Sequence, residues 1–100
     1  MRVLVVEADP RVAAFARGVL HRGGHEVRIV RTGGDAIGAG GHDEVVMDAS
    51  LPDMTGFEAC RRLREAGDWT SVLVLVDRGA PTDPVRASGA DGLLRKPFSG

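Results

Sequence analysis

The sequence predicts an α/β fold in which helices connect the strands of a parallel, five-stranded sheet. Five short apolar runs lie along the chain, and the segments between them carry helical spacing or turn residues. Strands that alternate with helices form parallel βα units with right-handed crossovers. The chain has 100 residues, of which 43% are hydrophobic, enough for the core of one domain. We therefore expect a single domain spanning residues 1–100.

The first half of the chain predicts two strands and two helices. Residues 2–6 form a continuous apolar run, typical of a strand buried on both faces. Asp9 and Pro10 suit the N-cap and first position of a helix. That helix carries one apolar stripe, made of Val12, Phe15, Ala16, Val19 and Leu20. Residues 25–31 alternate apolar and charged side chains, as an edge strand does. Residues 32–41 contain five glycines, so we expect a short, frayed helix there.

The second half predicts three strands and two helices. The strands are residues 44–48, residues 72–76 and a run within residues 90–94. The helices are residues 56–67 and a short one between Asp83 and Gly89. On the longer helix, the side chains expected to face inward are Phe57, Cys60 and Leu63, and those expected to face solvent are Arg61, Arg62 and Arg64. Trp69 could anchor a partner or cover the core, and we favour the second role. No helix is expected after the fifth strand, which would leave apolar surface bare on one face of the sheet.

Asp48 stands at the end of the most informative stretch in the sequence. Three apolar residues lead into this carboxylate, and turn residues such as Pro52 and Gly56 follow it. An open parallel sheet binds its ligands at the carboxyl ends of its strands. On this stretch alone, a ligand-binding role and a simple turn-starting role for Asp48 are equally favoured.

Two further strand ends favour a chemical role for Asp48. Glu7 follows the first strand and Lys96 follows the fifth. We expect the ends of strands one, three and five to lie side by side, so that these three side chains converge. Paired carboxylates suit Mg²⁺, and a nearby lysine can neutralise a phosphoryl group. A carboxylate can itself act as the nucleophile that forms an aspartyl-phosphate.

Composition excludes several other classes of function. A net charge of −1 provides no basic surface for nucleic acid. No apolar stretch approaches the roughly 20 residues of a membrane span, and no signal peptide is visible. The single cysteine, Cys60, excludes an internal disulfide and suits the cytoplasm.

The sequence resembles the receiver domains of two-component response regulators, the CheY-like family. The stretches that carry the resemblance are VLVVEAD, MDASLPDMTGFE, CRRLRE and GADGLLRKPF. The resemblance implies a flavodoxin-like three-layer sandwich with strand order 2-1-3-4-5, an order for which this family is a standard example. It also implies that Asp48 is the phosphoacceptor and that Lys96 contacts the phosphoryl group. Glu7, Asp48 and the Ser50 carbonyl would bind Mg²⁺, and the Lys96–Pro97 peptide bond would be cis.

The sequence departs from the family pattern at several positions. The second acidic ligand of Mg²⁺ is replaced by Ala8, and Asp9, one residue later, is expected to cap a helix instead. The switch hydroxyl is replaced by Val76 and the switch aromatic residue by Leu93. The family's fifth helix is expected to be missing after the fifth strand. These departures predict an atypical, degenerate receiver with weak Mg²⁺ binding and slow or absent phosphorylation.

Three functions remain open from the sequence. The first is a degenerate receiver that acts through protein contacts, and the second is a conventional receiver phosphorylated on Asp48 by a histidine kinase. The third, a small phosphate-handling enzyme, is the least favoured, so we expect no enzymatic activity. Expected partners are a histidine kinase or phosphotransfer protein, and an output domain or second subunit, including a second copy of the chain.

Overall fold

The fold is a five-stranded parallel sheet with helices on both faces. The computed structural model describes residues 1–81 and 83–96. Its elements are β1 (Arg2–Val6), α1 (Pro10–Arg22), β2 (Glu26–Val30), α2 (Gly33–Ala39), β3 (Glu44–Asp48), α3 (Gly56–Glu65), β4 (Ser71–Val76), α4 (Asp83–Ser88) and β5 (Gly92–Arg95). The strand order is β2-β1-β3-β4-β5, and all neighbouring strands are parallel. The predicted fold class and strand order are confirmed.

The apolar core lies in two layers, one on each face of the sheet. Alternate residues of the central strands point to opposite faces, because side chains alternate along a strand. Leu4 and Met47 belong to the layer that packs against α2 and α3. Val5 and Val46 belong to the layer beneath α1. The continuous apolar runs of the sequence are therefore explained by strands that are covered on both sides.

Local sequence signals placed several element boundaries correctly. Asp9 caps α1, because its carboxylate accepts a hydrogen bond from the Arg11 N–H at 2.9 Å, and Pro10 is the first helical residue. The glycine-rich α2 is only seven residues long. Helix α4 begins at Asp83 and ends at Ser88, as the turn residues around it predicted.

Two predictions about α3 and the chain after it are wrong. Trp69 does not cover the core: its side chain is 74% exposed, and the Arg64 guanidinium lies 5.3 Å from its ring centroid. Arg64 does not face solvent like Arg61 and Arg62, because only 9% of its side chain is exposed. Its guanidinium donates hydrogen bonds to backbone carbonyls around it, which periodicity along α3 alone could not show.

The face of the sheet under α1 carries half-exposed apolar side chains. Val19 of α1 and Leu94 of β5 are each 46% exposed, and they line a groove of about 260 Å³. Among the residues that the structure describes, α1 contacts β1 and β2 on this face. The predicted cis Lys96–Pro97 bond and the absence of a helix after β5 concern residues 97–100, which lie outside the described residues.

Candidate functional site at the carboxyl ends of the strands

Asp48 lies at the carboxyl end of β3 and is almost fully buried, at 3% exposure. The Ser50 N–H donates a hydrogen bond to Asp48 Oδ1 at 2.9 Å. The Lys96 ammonium lies 2.9 Å from Asp48 Oδ2. Donors therefore contact both carboxylate oxygens, which fixes the orientation of the Asp48 side chain.

The loop after Asp48 is compact because small residues and one carboxylate hold it. Gly56 lies so close to the end of β3 that a Cβ there would be 2.2 Å from the Asp48 carbonyl oxygen. The Gly33 and Gly34 N–H groups, at the start of α2, each donate to the Asp53 carboxylate at 2.9 Å. These two hydrogen bonds lower the pKa of Asp53. The loop that carries Ser50 is thus fastened to α2 at one side and to α3 at the other.

Glu7 lies beside Asp48 at the end of β1 and is 2% exposed. Its Oε2 accepts a hydrogen bond from the Asp9 N–H at 3.1 Å, while its Oε1 is buried with no hydrogen-bond partner among the described residues. Burial and the neighbouring Asp48 carboxyl raise the pKa of Glu7 to about 7. Near neutral pH, Glu7 is therefore populated in both its protonated and its charged form, and a cation near its unpartnered oxygen would favour the charged form.

Lys96 reaches the site from β5, and it does so past β4. The prediction that the ends of strands one, three and five lie side by side is wrong, because β4 separates β3 from β5. Asp77, directly after β4, therefore also reaches Lys96, with 3.2 Å between Asp77 Oδ1 and the ammonium. Burial alone would lower the pKa of Lys96, but hydrogen bonds to Asp48 and Asp77 outweigh it and raise that pKa.

Sequence analysis did not identify Asp77 as a site residue. The signal was present, because Asp77 is an acidic residue directly after the most apolar strand of the chain, much as Asp48 is the last residue of β3. Its contact with Lys96 depends on the position of β4 in the sheet. Of the three side chains predicted to converge, Glu7, Asp48 and Lys96, the structure brings all three together.

The sequence predicts departures from the family pattern at Ala8, Val76 and Leu93, and the structure describes all three positions. Ala8 follows Glu7 and offers only its carbonyl, which accepts a hydrogen bond from Arg31 at 3.2 Å. Asp9 is engaged in capping α1, as predicted. Val76 is buried at the end of β4 with no polar side-chain atom, and Leu93 occupies β5.

The carboxylate oxygens at this site suit a hard divalent cation, although only a few of them are available as ligands. Glu7 and Asp48 are adjacent carboxylates, and the buried Glu7 Oε1 lacks a partner. Mg²⁺ needs only one or two protein carboxylates when water completes its shell. Across residues 1–81 and 83–96, however, no three His, Cys, Asp or Glu side chains are grouped so as to hold a metal. The site therefore provides a minimal set of ligands.

The sequence matches a known protein family over almost its whole length. The profile of the response regulator receiver domain matches residues 3–100. The chain is 44% identical to the transcriptional regulatory protein TcrA of Mycobacterium tuberculosis, an alignment that covers 99% of this chain and 41% of TcrA. It is 36% identical to the response regulator MprA of Mycolicibacterium vanbaalenii, over 99% of this chain and 45% of that protein. The chain thus spans less than half the length of these relatives.

Solved structures share the same architecture. The chemotaxis response regulator CheY4 of Vibrio cholerae superposes with a TM-score of 0.88 at 28% identity, over 98% of this chain and 88% of that one. The receiver domain of a histidine kinase from Syntrophus aciditrophicus superposes with a TM-score of 0.84 at 30% identity, over 98% of this chain and 80% of that one. The fold is therefore found both in response regulators and within a kinase.

Proposed function

Because the chain belongs to the family of response regulator receiver domains, we propose that it is an atypical receiver that accepts phosphoryl groups on Asp48 slowly or not at all. Receiver domains serve two-component signalling, and they commonly bind Mg²⁺ at an acidic phosphorylation site. In this chain Asp48 is the phosphoacceptor, Lys96 contacts the phosphoryl group, and Glu7, Asp48 and the Ser50 carbonyl bind the metal. We place residues 1–100 in one receiver domain, and the match of the family profile to residues 3–100 supports this.

The absence of a carboxylate at Ala8 is the observation that carries this proposal. A phosphoryl group on Asp48 adds negative charge beside Glu7, and two like charges about 4 Å apart repel by about 4 kcal/mol at an effective dielectric of 20. A divalent cation would cancel this repulsion. With only two carboxylates beside it, the cation is held weakly, and the Lys96 ammonium must supply most of the compensating charge.

Val76 supports the same proposal from the side of the response. A hydroxyl at the end of β4 could donate a hydrogen bond to a phosphoryl oxygen, but the valine side chain has no polar atom. A phosphoryl group on Asp48 would therefore move the switch region weakly by this route. We propose that the chain signals mainly through protein contacts, with a histidine kinase or phosphotransfer protein and with an output domain or second subunit as partners.

Intact-mass spectrometry tests the proposal directly. The protein is mixed with Mg²⁺ and acetyl phosphate, and the fraction that gains one phosphoryl group is followed with time. We expect a small fraction at most, and none in the Asp48→Asn variant. Prompt, stoichiometric gain of one phosphoryl group by the wild-type chain would overturn the proposal.

The retained Asp48–Lys96 pair favours a second candidate, the conventional phosphoacceptor receiver. The 2.9 Å contact between Lys96 and Asp48 provides the cation that a phosphoryl group needs. The relatives of this chain also favour this candidate, since TcrA is named a transcriptional regulatory protein and MprA a response regulator. Under this alternative the same experiment gives complete modification of Asp48.

An enzymatic function is the least supported. The apolar groove at Val19 and Leu94 does not include Asp48, and we propose a signalling module without turnover of its own. Hydrolysis of p-nitrophenyl phosphate that disappears in Asp48→Ala would contradict this. The described part of the chain contains no helix that is long and apolar enough to cross a membrane. Cys60 is a free, buried thiol, which supports our placement of the chain in the cytoplasm.

A further inference from the structure

Lys96 binds two carboxylates at once, and one of them lies outside the site described by the family pattern. Its ammonium lies 2.9 Å from Asp48 and 3.2 Å from Asp77. The Asp48 side chain is buried, whereas 66% of the Asp77 side chain is exposed. Lys96 is also the only lysine in the sequence. A phosphoryl group on Asp48 would therefore have to share this ammonium with Asp77.

Arg95 and Lys96, at the end of β5, hold the segment after β4 in place. Arg95 donates hydrogen bonds to the carbonyl oxygens of Asp77 and Ala80, each at 3.3 Å. The Lys96 N–H donates to the Val76 carbonyl at 2.8 Å. Asp77 is thus positioned by its backbone at the end of β4, and its carboxylate adds a charged contact that can be released without moving β4.

We propose that Asp77 competes with a phosphoryl group on Asp48 for the Lys96 ammonium, and so acts as a positioning residue that slows phosphoryl uptake. The inference rests on the proposed role of Asp48 as phosphoacceptor. During uptake from acetyl phosphate, an Asp48 oxygen attacks phosphorus, the bond from phosphorus to the acetate oxygen breaks, and acetate leaves with the electron pair. Negative charge accumulates beside Lys96 in this step.

The exposure of Asp77 decides how the competition ends. The aspartyl-phosphate carries about two negative charges at neutral pH. The ammonium follows the greater and more buried charge, and Asp77 returns to water at little cost because its carboxylate is already largely hydrated. Uptake therefore has to break the Lys96–Asp77 pair, and the segment after β4 loses one of its contacts when it does. Electrostatic release would give this segment a response that the Val76 side chain cannot provide.

The rate of phosphoryl uptake in Asp77 variants tests the inference. The full chain is incubated with Mg²⁺ and acetyl phosphate, and intact mass gives the rate for wild type, Asp77→Asn and Asp77→Glu. We expect Asp77→Asn to take up phosphoryl about fivefold faster, since one competing charge is gone. Asp77→Glu keeps a carboxylate within reach of Lys96 and should stay near the wild-type rate. Melting temperatures should match, because the altered side chain is exposed.

Asp35→Asn serves as the matched control for net charge. Asp35 is an exposed residue in the first turn of α2 and forms no ion pair with Lys96 in the described structure. We expect its rate to equal that of wild type. An Asp77→Asn rate no faster than wild type, including the case in which neither protein is modified, would overturn the inference. So would equal acceleration by Asp35→Asn.

The two proposals fail in different observations. The extent of modification of the wild-type chain alone judges the proposed function. The ratio of the Asp77→Asn rate to the wild-type rate judges the role of Asp77. A wild-type chain that is modified rapidly and completely would contradict slow uptake, and the ratio would still decide whether Asp77 competes for Lys96.

Discussion

At the end of the sheet where β4 begins, the nearly buried Arg64 side chain has a hydrogen-bond acceptor for each of its guanidinium nitrogens. Its guanidinium contacts the carbonyls of Gly89, Asp68 and Thr70 and the Asp91 carboxylate, at 2.7 to 3.0 Å. At the opposite end, Glu7 is a buried acid with one unpartnered oxygen and a raised pKa. A buried charge whose hydrogen bonds are all formed is typical of a structural role. A buried charge with an unpartnered atom is typical of a binding or titrating site.

The two ends of the sheet also differ in how many contacts depend on one charged side chain. Arg64 connects α3, the start of β4 and the turn before β5, and Asp91 additionally accepts the Val72 N–H at 2.7 Å. Losing the cation would leave several partners unsatisfied. At the Asp48 end, by contrast, Glu7 Oε1 has no hydrogen-bond partner among the described residues.

The largest expected effect is on stability, at Arg64. Arg64→Ala should lower the free energy of unfolding by about 3 kcal/mol, because a nearly buried charged partner is removed from four acceptors. Arg62→Ala, on the same helix, removes an exposed ion pair and should change stability by no more than about 0.5 kcal/mol. Urea denaturation of both variants measures the difference. Equal losses would mean that Arg64 is only another surface arginine.

The next effect is a pH dependence that originates at Glu7. Its pKa is raised from 4.5 to about 7 in the folded state, so the folded chain keeps a proton that the unfolded chain releases. Stability should therefore fall by about 3 kcal/mol as the pH rises from about 4.5 through 7, and level off above the folded-state pKa. Glu7→Gln should remove this fall. Denaturation curves across that pH range, without divalent cations, provide the measurement. A slope that is unchanged in Glu7→Gln would contradict the assignment.

A smaller effect is expected at Asp53, between the two kinds of site. Asp53→Ala removes the acceptor for two backbone donors at the start of α2. We expect hydrogen exchange at Gly33 and Gly34 to accelerate about threefold to tenfold, with little change in the centre of the sheet. Exchange followed by NMR gives rates for each amide. Asp35→Ala, one residue beyond these glycines, is the control, and acceleration of the same size there would remove the special role of Asp53.

The sequence predicted the sheet and the side chains that meet at its edge, and it missed the long-range contacts of charged residues. Apolar runs and capping residues depend on neighbours in the chain, so β1, β3 and the Asp9 cap were identified directly. The partners of Arg64 and Asp77 come from other elements and depend on strand order. Trp69, which precedes β4, was expected to cover the core. It is exposed instead, and its ring packs against the Arg64 guanidinium in a favourable cation–π contact.

Mg²⁺ affinity in an Ala8→Asp variant tests the central claim most directly. NMR titration, followed at the amides of Ala49 and Ser50, compares this variant with wild type. If Ala8 leaves the site short of one ligand, Ala8→Asp should bind Mg²⁺ about tenfold more tightly, since an added carboxylate strengthens a hard-cation site. An identical affinity in both proteins would contradict the account, because residue 8 would then lie outside the metal site.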